Sequence, residues 1–151
     1  MTTPDVFETT SWRGLTVSPG GVITSAMGKF EWKKNDWTEA SCSGGRHKAP
    51  GRGCTCGIYS CETWEQLEKL GYNYFDVSAD DPDDPGLIWV IAHLILGGKI
   101  IPSSNGVIRA ERAAPLKVYV PGHHWRLMKP IRDTYGCEIG IIDRFSGRRT
   151  A

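Results

Sequence analysis

The sequence predicts an α+β fold: a small, strongly bent antiparallel sheet or partly open β-barrel, with two short helices and a zinc-binding loop. Three observations carry this expectation. Eighteen Gly and nine Pro among 151 residues impose many turns and disfavour long helices. Apolar residues recur with period two in several short runs, as half-buried strands require. Cys42, His47, Cys54 and Cys56 fall within fifteen residues rich in Gly. A chain of this length with 40% hydrophobic residues can bury one core. The expected organisation is a flexible N-terminus over 1–10, one domain over 11–145 and a basic tail over 146–151.

Taken in order, Trp12, Leu15 and Val17 run into the turn Ser18-Pro19-Gly20-Gly21 and out through Val22, Ile23 and Thr24, which reads as a hairpin. Phe30, Trp32 and Trp37 flank a polar loop, Lys33-Lys34-Asn35-Asp36. After Cys56, a short apolar segment reaches Ser60. Thr63 and Gln66 then have capping-box spacing for a helix of about two turns, lined by Trp64, Leu67 and Leu70 and stopped by Gly71. Asp80 to Gly86 holds two prolines and four like charges and is expected to be an exposed loop.

The run from Leu87 to Ile101 is the expected core strand or strand pair, with a bend or bulge at Gly97-Gly98. Asn105-Gly106 is a strong hairpin signal leading into Val107 to Ala113, where apolar and charged residues alternate. Leu116, Val118 and Val120 repeat the period of two up to Pro121. A helix around Trp125 to Tyr135 should end at Gly136, with Pro130 kinking or restarting it, and Ile139, Ile141 and Ile142 form a last strand.

The composition narrows the function classes. The longest apolar stretch is about half the roughly 20 residues a membrane-spanning helix needs, and the N-terminus lacks the features of a secretory signal. Five cysteines, an odd number with four between Cys42 and Cys61, suit metal ligation in a reducing compartment better than a disulfide framework, so a cytoplasmic setting is expected. The net charge is only +1, but it is segregated: eight acids between Glu62 and Asp84 face the single base Lys69, while nine bases stand against four acids from Arg109 onward.

The chemistry concentrates in Cys42-x4-His47-x6-Cys54-x-Cys56. Three thiols and an imidazole make a full tetrahedral set for a structural zinc ion, with no position left for a substrate water. Cys61 is a substitute ligand, and Cys137 reads as a small buried residue. Arg46, Lys48 and Arg52 lie in or beside the loop and, with Arg148 and Arg149 of the tail, are candidate polyanion contacts. His123-His124 beside Trp125 is a weaker candidate for a metal or base site, and His93 reads as a core histidine. Neither a phosphate loop, a nucleophile elbow nor a dinucleotide fingerprint is present.

Over nearly its whole extent the chain resembles a group of small actinobacterial and actinophage proteins with no assigned activity. Trp12-Arg13, Trp32, Ala40-Ser41-Cys42, His47-Lys48-Ala49-Pro50, Arg109 to Ala113 and Tyr119-Val120-Pro121 carry the resemblance, and Cys54-Thr55-Cys56-Gly57-Ile58-Tyr59 is its distinctive part. The acidic stretch Asp76 to Pro85 and Pro130 depart from the group. The resemblance implies common origin and a Cys-His-Cys-Cys zinc loop, not a reaction. The expected function is therefore a non-enzymatic, zinc-stabilised binding or regulatory module, phage-encoded, that contacts a host protein or nucleic acid; no membrane or small-molecule site is expected. The alternatives are an enzyme acting on nucleotides or nucleic acid through His123, His124 or Cys61, and a structural or assembly component. A binder should present a basic or apolar patch containing Arg46, Lys48, Arg52 and nearby aromatics without a deep pocket, and an enzyme a cleft with convergent titratable groups.

Overall fold

A computed structural model describes residues 9–25, 30–42, 45, 47–69, 80–81, 84–142 and 149–150. Arg46, Leu70, Gly71, Asp76, Arg148 and most of the expected flexible N-terminus lie outside these residues.

The apolar run after Gly86 becomes the central strand β6 (Asp84–Pro102), which is paired on both edges. On one edge lies β1 (Thr10–Val17), antiparallel from Thr10↔Ile95 to Val17↔Ile88. On the other lies β7 (Val107–Pro121), antiparallel from Pro102↔Ile108 to Ile91↔Tyr119. A strand covered on both faces needs no alternation, which is why Val90, Ile91, Ala92, Leu94, Ile95 and Leu96 are all buried. Val90, Leu94, Val118 and Val120 form the larger core cluster with Ile131 and Tyr135 of helix α2 (Met128–Tyr135). Ile91 and Tyr119 belong to a second cluster with Trp64 and Leu67 of helix α1 (Trp64–Lys69).

The outer edge of β7 carries three short partners in succession. β4 (Ile58–Cys61) pairs at 107–110, β3 (Thr38–Glu39) at 112–113 and β8 (Glu138–Ile142) at 117–121. The β7–β8 pair is parallel, so the sheet is mixed where a wholly antiparallel one is expected from sequence. A 3-10 helix (Gly122–Leu127) and α2 supply the crossover that a parallel pair needs. β2 (Ile23–Thr24) forms the predicted hairpin with β1, β5 (Asp80–Asp81) adds to β6, and β9 (Arg149–Thr150) adds to β8 within the stretch expected to be a tail. β4 touches β1 at one register position, Trp12↔Cys61, so the sheet coils toward itself without closing into a barrel.

Local signals account for the bends. The register shifts between Gly97 and Ile100, and Gly98 adopts φ +71°, giving the bulge expected there. Gly21 turns the β1–β2 hairpin at φ +86°, and a Cβ on it would lie 2.5 Å from the Pro130 carbonyl carbon, so the turn packs directly on α2. Pro130 falls in the first turn of α2, where its missing N–H is not needed, so the α-helix begins at Met128 and runs through Pro130 rather than kinking or restarting there. Tyr135 then ties α2 to the sheet: its hydroxyl accepts from the Ile23 N–H at 2.8 Å and donates to the Trp32 carbonyl at 3.1 Å.

The acidic stretch is not wholly a loop. Asp81 pairs with Asp84, and the next pairing is Asp80↔Ile88, which leaves Pro85 in an irregularity of the ladder, where a missing N–H costs no hydrogen bond. No helix among the described residues is long and apolar enough to cross a membrane.

Candidate metal centre

β7 positions the cysteine loop at both ends. The chain enters from β3 and leaves into β4, and these strands occupy adjoining stretches of the same β7 edge. Ala40 adds a main-chain bond to the Glu111 carbonyl at 2.8 Å just before Cys42. The loop must therefore return to nearly the place it left, and its Gly residues allow the tight path. Gly45 has φ +65° and donates to the Cys42 carbonyl at 2.9 Å; Cys54 N–H donates to the Gly51 carbonyl at 3.2 Å.

This path brings Cys42 Sγ, His47, Cys54 Sγ and Cys56 Sγ together, with one donor atom from each within 4.8 Å of the others. Cys42 and Cys54 sulfurs are 3.8 Å apart, and His47 Nε2 is 3.2 Å from Cys56 Sγ. Two thiolates at about 2.3 Å from one tetrahedral ion would be separated by about 3.8 Å, so the sulfur spacing fits a shared metal. All five cysteines are free thiols, as metal ligation requires. Gly51 allows this closeness: a Cβ there would lie 2.3 Å from His47 Nε2, and its N–H instead donates to Cys56 Sγ at 3.2 Å.

The thiols differ electrostatically. Hydrogen bonding from the Cys56 main chain, followed by the Cys56 and Cys42 thiols, holds Cys54 below the ordinary thiol value. Burial raises Cys56, partly opposed by the Gly51 N–H. Such a set gives up protons as a cation binds.

Arg109 is the positioning residue that sequence reasoning does not single out. From β7 its Nη1 donates to the carbonyls of Gly51 at 3.1 Å, Cys54 at 2.5 Å and Cys56 at 2.9 Å. Glu111, two residues on and so on the same strand face, pairs with Lys48 Nζ at 3.0 Å and accepts the Lys99 N–H at 3.1 Å. The Lys48 contact, followed by the Lys99 N–H, holds the Glu111 carboxyl below its usual range. The alternation of Arg109, Glu111 and apolar residues marks a wet strand face in the sequence. Its target, a loop more than fifty residues earlier, depends on long-range register that the sequence does not display.

The remaining candidates do not join this cluster. Cys61 ends β4, buried opposite Trp12, and burial raises its thiol, so it replaces no ligand. Cys137 is buried before β8, as expected. His123 is exposed and His124 half-buried with their rings 4.4 Å apart, and no third donor joins them among the described residues. His93 is half-buried rather than in the core, stacked on Trp12 at 4.2 Å and 18°. Of the expected polyanion contacts, Arg52 is exposed, Lys48 is paired with Glu111, Arg149 lies in β9, and Arg46 and Arg148 fall outside the described residues.

Beside the loop, a cleft of about 790 Å³ opens between β1 and β4, walled by Trp12, Trp32, Phe30, Ile58 and Tyr59. No feature of the sequence points to it. Its ionisable lining is Arg13, Glu39, Cys61, Tyr59 and Arg109. Arg13 donates from Nη1 to the Tyr59 carbonyl at 2.5 Å, and Arg109 holds the cysteine loop.

No family model matches the chain, and neither a curated protein nor a solved structure is similar enough to match it.

Proposed function

We propose that this chain is a non-catalytic binding or regulatory module, stabilised by zinc at Cys42, His47, Cys54 and Cys56, and that its partner is a protein. The observation that carries this reading is the complete donor set: four protein ligands from one loop, 4.8 Å or less apart, saturate a tetrahedral ion and leave no position for a reacting water. Three thiolates and an imidazole favour zinc over hard, oxygen-seeking cations, and a reducing compartment such as the cytoplasm keeps those thiols available. Bound there, zinc supplies cross-linking of the loop. Arg109 orients the carbonyls of two ligand residues, and Gly51 gives the imidazole its place.

Two observations favour a protein partner over a nucleic acid. Lys48, central to the expected cationic patch, is ion-paired with Glu111. Two of the three large hydrophobic side chains exposed among the described residues, Phe30 and Tyr59, border the cleft. A nucleic-acid partner would instead require affinity that falls steeply with salt. The test is elemental analysis of the purified chain beside Cys54→Ser and Cys56→Ser variants, with thermal melts in the presence and absence of chelator. The reading expects about one zinc per chain, lost in both variants together with much of the stability. Metal-free protein with an unchanged melt removes it.

A further inference from the structure

We propose that the cleft between β1 and β4 receives an extended segment of the partner, added as a strand to both open edges, with an acidic side chain set against Arg13. This rests on the reading of the chain as a protein-binding module and names what that partner presents.

Along an antiparallel strand, successive residues direct their N–H and C=O groups to opposite neighbours. Ser18 N–H donates to the Val22 carbonyl at 3.0 Å, on the side of β1 away from β6. By alternation Thr16, Gly14 and Trp12 face that same side, and Trp12 indeed meets Cys61 there. In β4, Glu62 N–H donates to the Gly106 carbonyl at 2.9 Å, so Ser60 and Ile58 turn toward β7 while Cys61 and Tyr59 turn toward β1. The next rung after Trp12↔Cys61 would be Gly14↔Tyr59, but it is not formed, and both residues line the cleft instead. Between that point and the start of β2 pairing at Thr16, no described strand pairs with β1 on this edge. Two strand edges thus face each other across the cleft.

Two further features point to an occupant. Ser60 is only 4% exposed, lines the cleft, and its Oγ has no hydrogen-bond partner among the described residues. A buried hydroxyl left unpaired is costly, and an incoming polar main chain would satisfy it. Arg13 Nη1 occupies the Tyr59 carbonyl, the place an added strand's amide would take. Displaced from that carbonyl, the guanidinium faces the newcomer. With Arg109 also lining the cleft and Glu39 its one described carboxylate, the charge favours an acidic residue. Trp12, Trp32 and Ile58 suit apolar side chains flanking it. A stacked base could use the aromatic walls but would leave both strand edges unpaired, so an extended peptide fits better.

The experiment selects random heptapeptides displayed on phage against the full chain, after its zinc content has been measured, and then studies the enriched sequences as synthetic peptides. The expected result is convergence on alternating apolar residues around Asp or Glu. Binding should shift the amide resonances of Gly14 and Tyr59, and weaken about tenfold when an inward-facing peptide amide is N-methylated. Arg13→Gln should abolish the preference for Glu over Gln in the peptide, with its fold checked by melting. Lack of enrichment, shifts confined to another face, or indifference to N-methylation overturns the proposal. Displacement of the peptide by a ten-nucleotide single strand, with a steep salt dependence, also overturns it and assigns the cleft to nucleic acid. A metal-free chain that still selects such peptides removes the zinc reading alone, whereas a zinc-loaded chain that selects none removes this one.

Discussion

Arg109 and Cys56 stand 53 residues apart in the sequence, yet Arg109 Nη1 donates to the Cys56 carbonyl at 2.9 Å. The same nitrogen reaches the carbonyls of Gly51 and Cys54, so one side chain of β7 holds the segment carrying two of the clustered thiols. Lysine keeps the charge but not the planar fork. Arg109→Lys should weaken zinc binding by about 10- to 100-fold, the usual cost of losing an outer-shell partner, as read by competition with a chromophoric chelator.

Two glycines of the loop provide a matched pair. A Cβ on Gly51 would meet His47 Nε2 at 2.3 Å, whereas one on Gly53 would meet nothing within 4 Å. Gly51→Ala should displace the imidazole and reduce zinc content well below one per chain, while Gly53→Ala should retain it. Equal retention in both would show that His47 is not a ligand.

Burial raises the Cys137 thiol from its ordinary 9.0 to about 11. Because the folded value exceeds the unfolded one, its contribution to stability is complete below about pH 9 and is lost as the pH rises toward 11, by about 2 kcal/mol. Tyr135, also raised by burial, adds a loss of the same sign at higher pH. Cys137→Ala should flatten the fall in denaturation free energy between pH 9 and 11 relative to the parent chain. In the parent, this thiol should stay unreactive toward a disulfide reagent at pH 8.

Tyr135→Phe should destabilise the chain by about 1–3 kcal/mol in urea unfolding, since it leaves the buried Ile23 N–H and Trp32 carbonyl without their shared hydroxyl. The loss arises at the contact between α2 and the β1–β2 hairpin, so zinc content should not change.

What could be read from the sequence was local. Asn105-Gly106, Gly97-Gly98 and the Cys42, His47, Cys54 and Cys56 spacing each act through a few neighbouring residues: the turn and the bulge appear where expected, and the four side chains come together. Thr63 Oγ1 accepts the Gln66 N–H at 3.1 Å, which is half of the capping box. What could not be read depends on which distant strands meet. The parallel β7–β8 pair, the single β1–β4 register pair Trp12↔Cys61 and the reach of Arg109 all follow from register across tens of residues. The acidic stretch misled for a different reason: like charges and prolines argue against a ladder, but an irregular register lets Pro85 stand where no bond is required.

The placement of β6 between a near and a far neighbour also sets an order of assembly. β7 reaches it across the short turn 103–106, whereas β1 must find it across the long stretch of chain between Val17 and Ile88. Loop-closure entropy therefore places the β6–β7 hairpin early in folding and the docking of β1 late. An ion joining Cys42 to Cys56 shortens the tether between β1 and that hairpin, so refolding started with zinc present should outpace refolding started without it.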